Sequence, residues 1–167
     1  MKEITMNERK DTRKCVVIPE YIEGIPTERK RQSERKKIVK KIIDGFIHSS
    51  NNHFYNEFLQ EPIYITSESK TESVFKTATT WRSTFAVLHL PDILKYAVAE
   101  KNQQVFFPPK KQSKTQNDAN LVNLAILYYN FEYFKNPILN FKVKLTVGIK
   151  SNDKYIYYCL SGINIIK

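Results

Sequence analysis

Glycine is scarce in this chain, four in 167 residues, and the scarcity excludes whole classes of chemistry. Loops that cradle phosphate need glycine so that backbone N–H groups can approach the ligand, and neither GxGxxG nor GxxxxGK[ST] is present. The strained GxSxG turn that presents a nucleophilic serine is missing too. Cys15 and Cys159 stand alone, without CxxC spacing. Two isolated cysteines make a thin disulfide framework, so a reducing, cytoplasmic compartment is expected. His48 and His53 lack a cysteine or carboxylate pair at ligand spacing, and no metal or cofactor is expected. No apolar run approaches the ~18 residues of a membrane span. Residues 1–14 mix charges without an apolar core, so neither a signal peptide nor a membrane partner is expected.

What the chain does have is a net charge of +10, unevenly spread. Between Arg29 and Lys41, eight basic residues face one acid, Glu34, a local charge of +7. Such clusters attract phosphate backbones by releasing condensed counterions. They also occur as plain solvated helix faces, and charge alone does not choose between the two. Arg35, Lys36, Lys37, Lys40 and Lys41 are the candidate nucleic-acid contacts, with RNA favoured over DNA. At 41% hydrophobic residues the chain can bury a core. Its length suits one domain, 33–167, preceded by a basic, extended arm, 1–32, in which Cys15-Val16-Val17-Ile18 suits an edge strand.

Ser33 is a good N-cap, and Ile38, Val39, Ile42, Ile43, Phe46 and Ile47 recur after it on one helical stripe. Residues 62–66 read as a short strand. Ser69-Lys70-Thr71-Glu72 matches a capping box, in which two side chains satisfy each other's free N–H groups. The helix it opens is expected to turn Val74, Phe75, Ala78, Trp81, Phe85 and Leu88 inward, with a break near Thr79-Thr80. Pro91 suits the first turn of a further helix that faces Ile93, Leu94, Ala97 and Val98 to the core. Val105-Phe106-Phe107 reads as a strand stub and 108–118 as a polar loop. Residues 121–135 fit a helix through Leu121, Leu124, Ala125 and Tyr128, and a strand through Leu127, Tyr129, Phe131 and Tyr133. Aromatic density favours the strand from about Ala125.

The plainest strand is 139–150, where every odd position is apolar and every even one polar or glycine. Side chains on a strand alternate faces, so one face is buried and the other, with Lys142, Lys144 and Lys150, is wet. If 136–138 form a loop, Phe131 lies opposite Val143, Tyr133 opposite Phe141, Glu132 opposite Lys142, and Asn130 near Lys144. A one-residue slip would turn every side chain to the wrong face. A turn at 151–153 and a last strand at 154–165 complete the pattern. The fold class is α+β, with N-terminal helices followed by a C-terminal antiparallel meander.

Ile63-Tyr64-Ile65-Thr66-Ser67, then 90–97 (Leu-Pro-Asp-Ile-Leu-Lys-Tyr-Ala), then 141–147 (Phe-Lys-Val-Lys-Leu-Thr-Val) with 155–158, follow one layout. Over about 100 residues this stretch resembles the barnase–EndoU–colicin–RelE group, in particular the barnase-like domains attached to large polyvalent proteins of phages and conjugative elements. The resemblance is one of pattern and has no diagnostic motif. It implies metal-independent RNA cleavage: a base takes the 2′-hydroxyl proton, an acid protonates the leaving oxygen, and cations stabilise the phosphorane. Carried onto this chain, it implies Glu132 as base, Lys142 and Lys144 as phosphate contacts, His89 as acid and Arg82 as a further cation. The chain departs from the family in having no histidine or arginine on the meander.

Plainer roles stand beside these. Glu132 and Lys142 also suit a cross-strand ion pair, His89 a helix end, and Trp81 the core. Three functions remain open on sequence: a barnase-like RNase or toxin with an immunity or host protein as partner, a non-catalytic nucleic-acid- or protein-binding module, and an inhibitor of a host nucleic-acid machine.

Overall fold

The computed structural model describes residues 16–18, 23–67, 70–108, 121–133, 136–151 and 156–166. Along them run β1 (Val16–Ile18), a 3-10 turn (Arg29–Arg31), α1 (Gln32–Ile47), β2 (His53–Asn56) and β3 (Glu61–Tyr64). Then come α2 (Lys70–Thr77), α3 (Trp81–Leu88), α4 (Leu90–Tyr96), β4 (Phe106–Phe107), β5 (Leu121–Tyr133), β6 (Asn136–Ser151) and β7 (Ile156–Ile166). The fold is α+β. Its strands are split along the chain, three before α2 and four after α4, so the expected order of helices first and strands second is corrected. The β2–β3 hairpin was hidden because His53 to Asn56 carry no alternating apolar pattern; only Asn56 of the four is buried.

The strands form one mixed sheet in the order β1-β5-β6-β7-β3-β2, with β4 also paired to β5. β5, β6 and β7 are the antiparallel meander, while β1 and β3 join it by parallel pairing. Three short segments tile the outer edge of β5: β4 beside Leu124 and Ala125, Val98 beside Tyr128, and β1 beside residues 131–133. Such tiling covers much of the outer edge of β5.

Helix boundaries follow local chemistry. α1 grows directly out of the 3-10 turn and starts one residue before the expected Ser33 cap, with Arg31 at the N-cap and no side-chain cap bond. Its buried stripe is Arg35, Val39 and Ile43, spaced by four. Ser69, and with it the expected capping box, lies outside the described residues; the Glu72 carboxylate accepts from Lys76 at 2.6 Å. The expected break is real: α2 ends at Thr77, and Thr80 caps α3 by accepting from the Ser83 N–H at 3.2 Å. Because the helical phase restarts there, Phe75 and Leu88 face solvent instead of the core, while Ala78 and Phe85 are buried.

The odd-numbered face of the meander is buried as alternation requires: Ala125, Leu127 and Tyr129 on β5 with Val143, Leu145 and Val147 on β6. Against it pack Val39 and Ile43 of α1, Phe85 of α3, and Leu90, Ile93 and Leu94 of α4. Each such aliphatic side chain contributes about 1.5–3 kcal/mol when fully buried. Asn56 fastens the outer hairpin to this layer; its buried amide donates to the Leu94 and Ala97 carbonyls at 2.7 and 3.0 Å.

The β5–β6 register differs from expectation by two residues. Phe131 pairs with Phe141, Asn130 with Lys142 and Glu132 with Asn140, because β6 begins at Asn136 and an irregularity between Glu132 and Tyr133 takes up residues 137–139. Pro137 has no N–H to give a ladder, which suits it to that irregularity. An even shift preserves the faces, so the face assignment holds although the partners change.

Candidate nucleic-acid interface

The basic run divides once it is folded. Arg35 sits on the apolar stripe of α1, fully buried, and its guanidinium is spent on backbone carbonyls. Nε donates to Ala78 O at 2.9 Å, Nη1 to Pro26 O at 3.1 Å and Glu28 O at 2.6 Å, and Nη2 to Arg29 O and Thr79 O at 3.3 Å. Burial pushes its pKa below the ordinary arginine value, with Glu34 acting the other way. The assignment of Arg35 as a phosphate contact is therefore corrected: a fork whose donors are taken inside the protein has none to offer a ligand. It pins residues 26–29 to the end of α2, whose last carbonyls favour a cation.

Lys37, Lys40 and Lys41 are exposed, and Lys36 is half-buried. Among the described residues none of these four forms an ion pair. α2 packs beside α1 and also beside β7. The two helices run antiparallel: the Lys36 ammonium lies 5.3 Å from the ring centroid of Phe75 near one end, and Asp44 pairs with Lys70 near the other. The bond from Lys70 holds the Asp44 carboxyl below its usual range. Lys40 lies one turn from both Lys36 and Asp44, on the side of α1 that meets α2.

The second basic surface is the even-numbered face of the meander, opposite the helices that bury the core. Lys144 pairs across the sheet with Tyr128 on one side and Asn164 on the other; one row away, Lys142 pairs with Asn130. All but the exposed Asn130 are half-buried. The Lys142 ammonium is held by the Glu100 carboxylate at 2.5 Å and lies 5.7 Å from the Tyr128 ring centroid. Lys144 has no ion pair among the described residues. Gly162, opposite Thr146 in the same face, leaves room for Glu72 of α2, whose carboxyl carbon would lie 3.5 Å from an added Cβ. Lys150, expected on the wet face, is 5% exposed; it is on the central strand with Leu121 and Tyr157 as register neighbours.

The other expected groups are dispersed. Glu132 pairs with Asn140 along the backbone, and its side chain lies outside the described part of the structure. His89 stands at the junction of α3 and α4, its ring 4.8 Å from that of Phe85 in the core. Burial lowers its pKa and Asp92 opposes the shift, which favours the neutral imidazole. Arg82 is half-buried in the first turn of α3. Both stand on the α3–α4 helices, whose Phe85, Leu90, Ile93 and Leu94 pack on the odd face. Among the described residues, no three His, Cys, Asp or Glu side chains cluster as metal ligands would. No described helix is long and apolar enough to cross a membrane.

Sequence reading missed Glu100, Asn164 and the exposure of Phe75. No family model, no curated protein and no solved structure matches the chain.

Proposed function

We propose that this chain is a nucleic-acid-binding protein that holds phosphates with the lysines of α1 and with Lys144 on the even-numbered sheet face. The observation that carries the reading is the set of α1 lysines that form no ion pair among the described residues, in a chain of net charge +10. Lysines outside close ion pairs are available to displace counterions from a phosphate backbone. Tyr128, Asn130 and Asn164 around Lys144 and Lys142 add groups that stack on bases or hydrogen-bond to sugar and phosphate.

Binding is favoured over cleavage. General acid–base chemistry needs acid, base and cation within hydrogen-bond reach of one substrate, whereas His89 and Arg82 stand on the helices whose core residues pack on the odd face. The cleavage reading keeps one observation in its favour, a carboxylate, Glu100, beside Lys142 on the open face. It is also the activity that the barnase-like layout implies, together with an origin in a phage or mobile element. One experiment separates the two: fluorescence anisotropy with mixed-sequence RNA and DNA, followed by analysis of the same RNA after incubation in EDTA. Binding with intact RNA supports the module. RNA cut to 2′,3′-cyclic phosphate ends, with loss of cutting in Lys144→Ala, supports the nuclease. No binding and no cutting rejects both.

A further inference from the structure

Phe75 breaks the pattern of the surface around it. It is 61% exposed on α2, in the middle of a helix whose buried side chains are small and polar, Ser73 and Thr77. A phenylalanine left in water contributes nothing to the core. Its partner is the Lys36 ammonium, over the ring at 5.3 Å, and the exposed lysines Lys37 and Lys40 stand on the adjoining surface of α1. Cation and ring come from different helices, held together by the packing of α1 on α2.

We propose that this α1–α2 surface is a single-strand-selective site, in which an unpaired base stacks on Phe75 while Lys36, Lys37 and Lys40 hold the flanking phosphates. The proposal rests on the nucleic-acid reading above and adds to it the kind of strand bound. Exposed aromatic rings surrounded by cations suit single strands, because every unpaired base has a π-face and none needs to be read by hydrogen bonds. A duplex keeps its base faces stacked inside the helix, so it meets the lysines but not the ring. Charge complementarity decides against an apolar protein partner: the ring stands alone, and its neighbours on α1 are ammonium groups.

The test compares wild type, Phe75→Ala and Phe75→Trp on three fluorescent probes: a single-stranded oligouridylate, an abasic strand of the same length, and a mixed-sequence duplex. Thermal melting checks that the variants fold, as expected for an exposed position. Phe75→Ala should bind the oligouridylate about tenfold or more weakly, within the usual worth of one stacked base. Its salt slope should not change, since every lysine that holds a phosphate is still present. Phe75→Trp should restore affinity, and the alanine variant should bind the abasic strand and the duplex as the wild type does. If Phe75→Ala leaves oligouridylate binding unaltered, or weakens all three probes equally, the stacking site is overturned while the nucleic-acid reading stands. If the wild type binds none of the probes, both fall, as they would for a protein-binding surface.

Discussion

Arg35 offers the sharpest separation between a residue that binds a ligand and one that holds the fold. Its guanidinium makes five hydrogen bonds, all to carbonyls of residues 26–29 and 78–79, and no carboxylate meets it. A net bond to a charged donor contributes ~1.5–3 kcal/mol. The full sum overshoots, because the two bonds at 3.3 Å are weak and removing the cation also removes its desolvation cost. The short bonds to Ala78, Pro26 and Glu28 set the scale, and Arg35→Met should cost on the order of 2–4 kcal/mol. Arg35→Lys keeps the charge but concentrates it at one point that cannot reach both residues 26–29 and the end of α2, so it should recover only part of the loss. Urea denaturation followed by circular dichroism reads this as a lower midpoint at unchanged slope. In conditions where Arg35→Lys is folded, its salt dependence of nucleic-acid binding should equal that of the wild type. A variant as stable as wild type, with a reduced salt slope, would refute the reasoning and return Arg35 to the phosphate contacts.

Two further outcomes follow from the site. Glu100→Gln removes the carboxylate that holds Lys142; nucleic-acid affinity should rise and the salt slope should steepen by up to ~0.7 on a single strand. Stability should change by less than ~1 kcal/mol, because the pair is partly exposed, and anisotropy titration with a parallel urea melt checks both. His89 has a folded-state pKa lowered by burial, so the unfolded chain takes up its proton first as pH falls. Stability from this group is present above the ordinary histidine value, about 6.5, and is lost as pH drops from there through the folded pKa. His89→Gln should flatten the fall in urea midpoint between about pH 7.5 and about pH 5.5.

The elements legible in the sequence were those whose signal is local. Alternation in β6 told which residues are buried over 142–147, though not at Lys150, Thr80 marked the helix break, and Pro91 marked the start of α4. The β5–β6 register was not legible, because a two-residue shift keeps every side chain on its face and costs the pattern nothing. Phe75 and Leu88 were misread since helical phase was counted across a break that resets it. Arg35 is the instructive case: one residue before Lys36, with the same charge, it falls on the stripe that α1 buries while its neighbours stay at or near the surface. On the sheet, the shared face of Lys142 and Lys144 was readable from parity. Their partners were not, because Glu100 and Asn164 arrive from segments far along the chain.

The central claim is that α1 holds phosphates through lysines that the fold leaves unpaired. The most direct measurement is the salt dependence of binding for a variant carrying Lys36→Gln, Lys37→Gln, Lys40→Gln and Lys41→Gln, compared with wild type on the same single-stranded RNA. The slope of log affinity against log salt should flatten by up to ~0.7 for each phosphate no longer neutralised, and affinity should drop at low salt. A variant that folds normally and keeps the wild-type slope and affinity would contradict the claim and leave the basic run a solvated helix face.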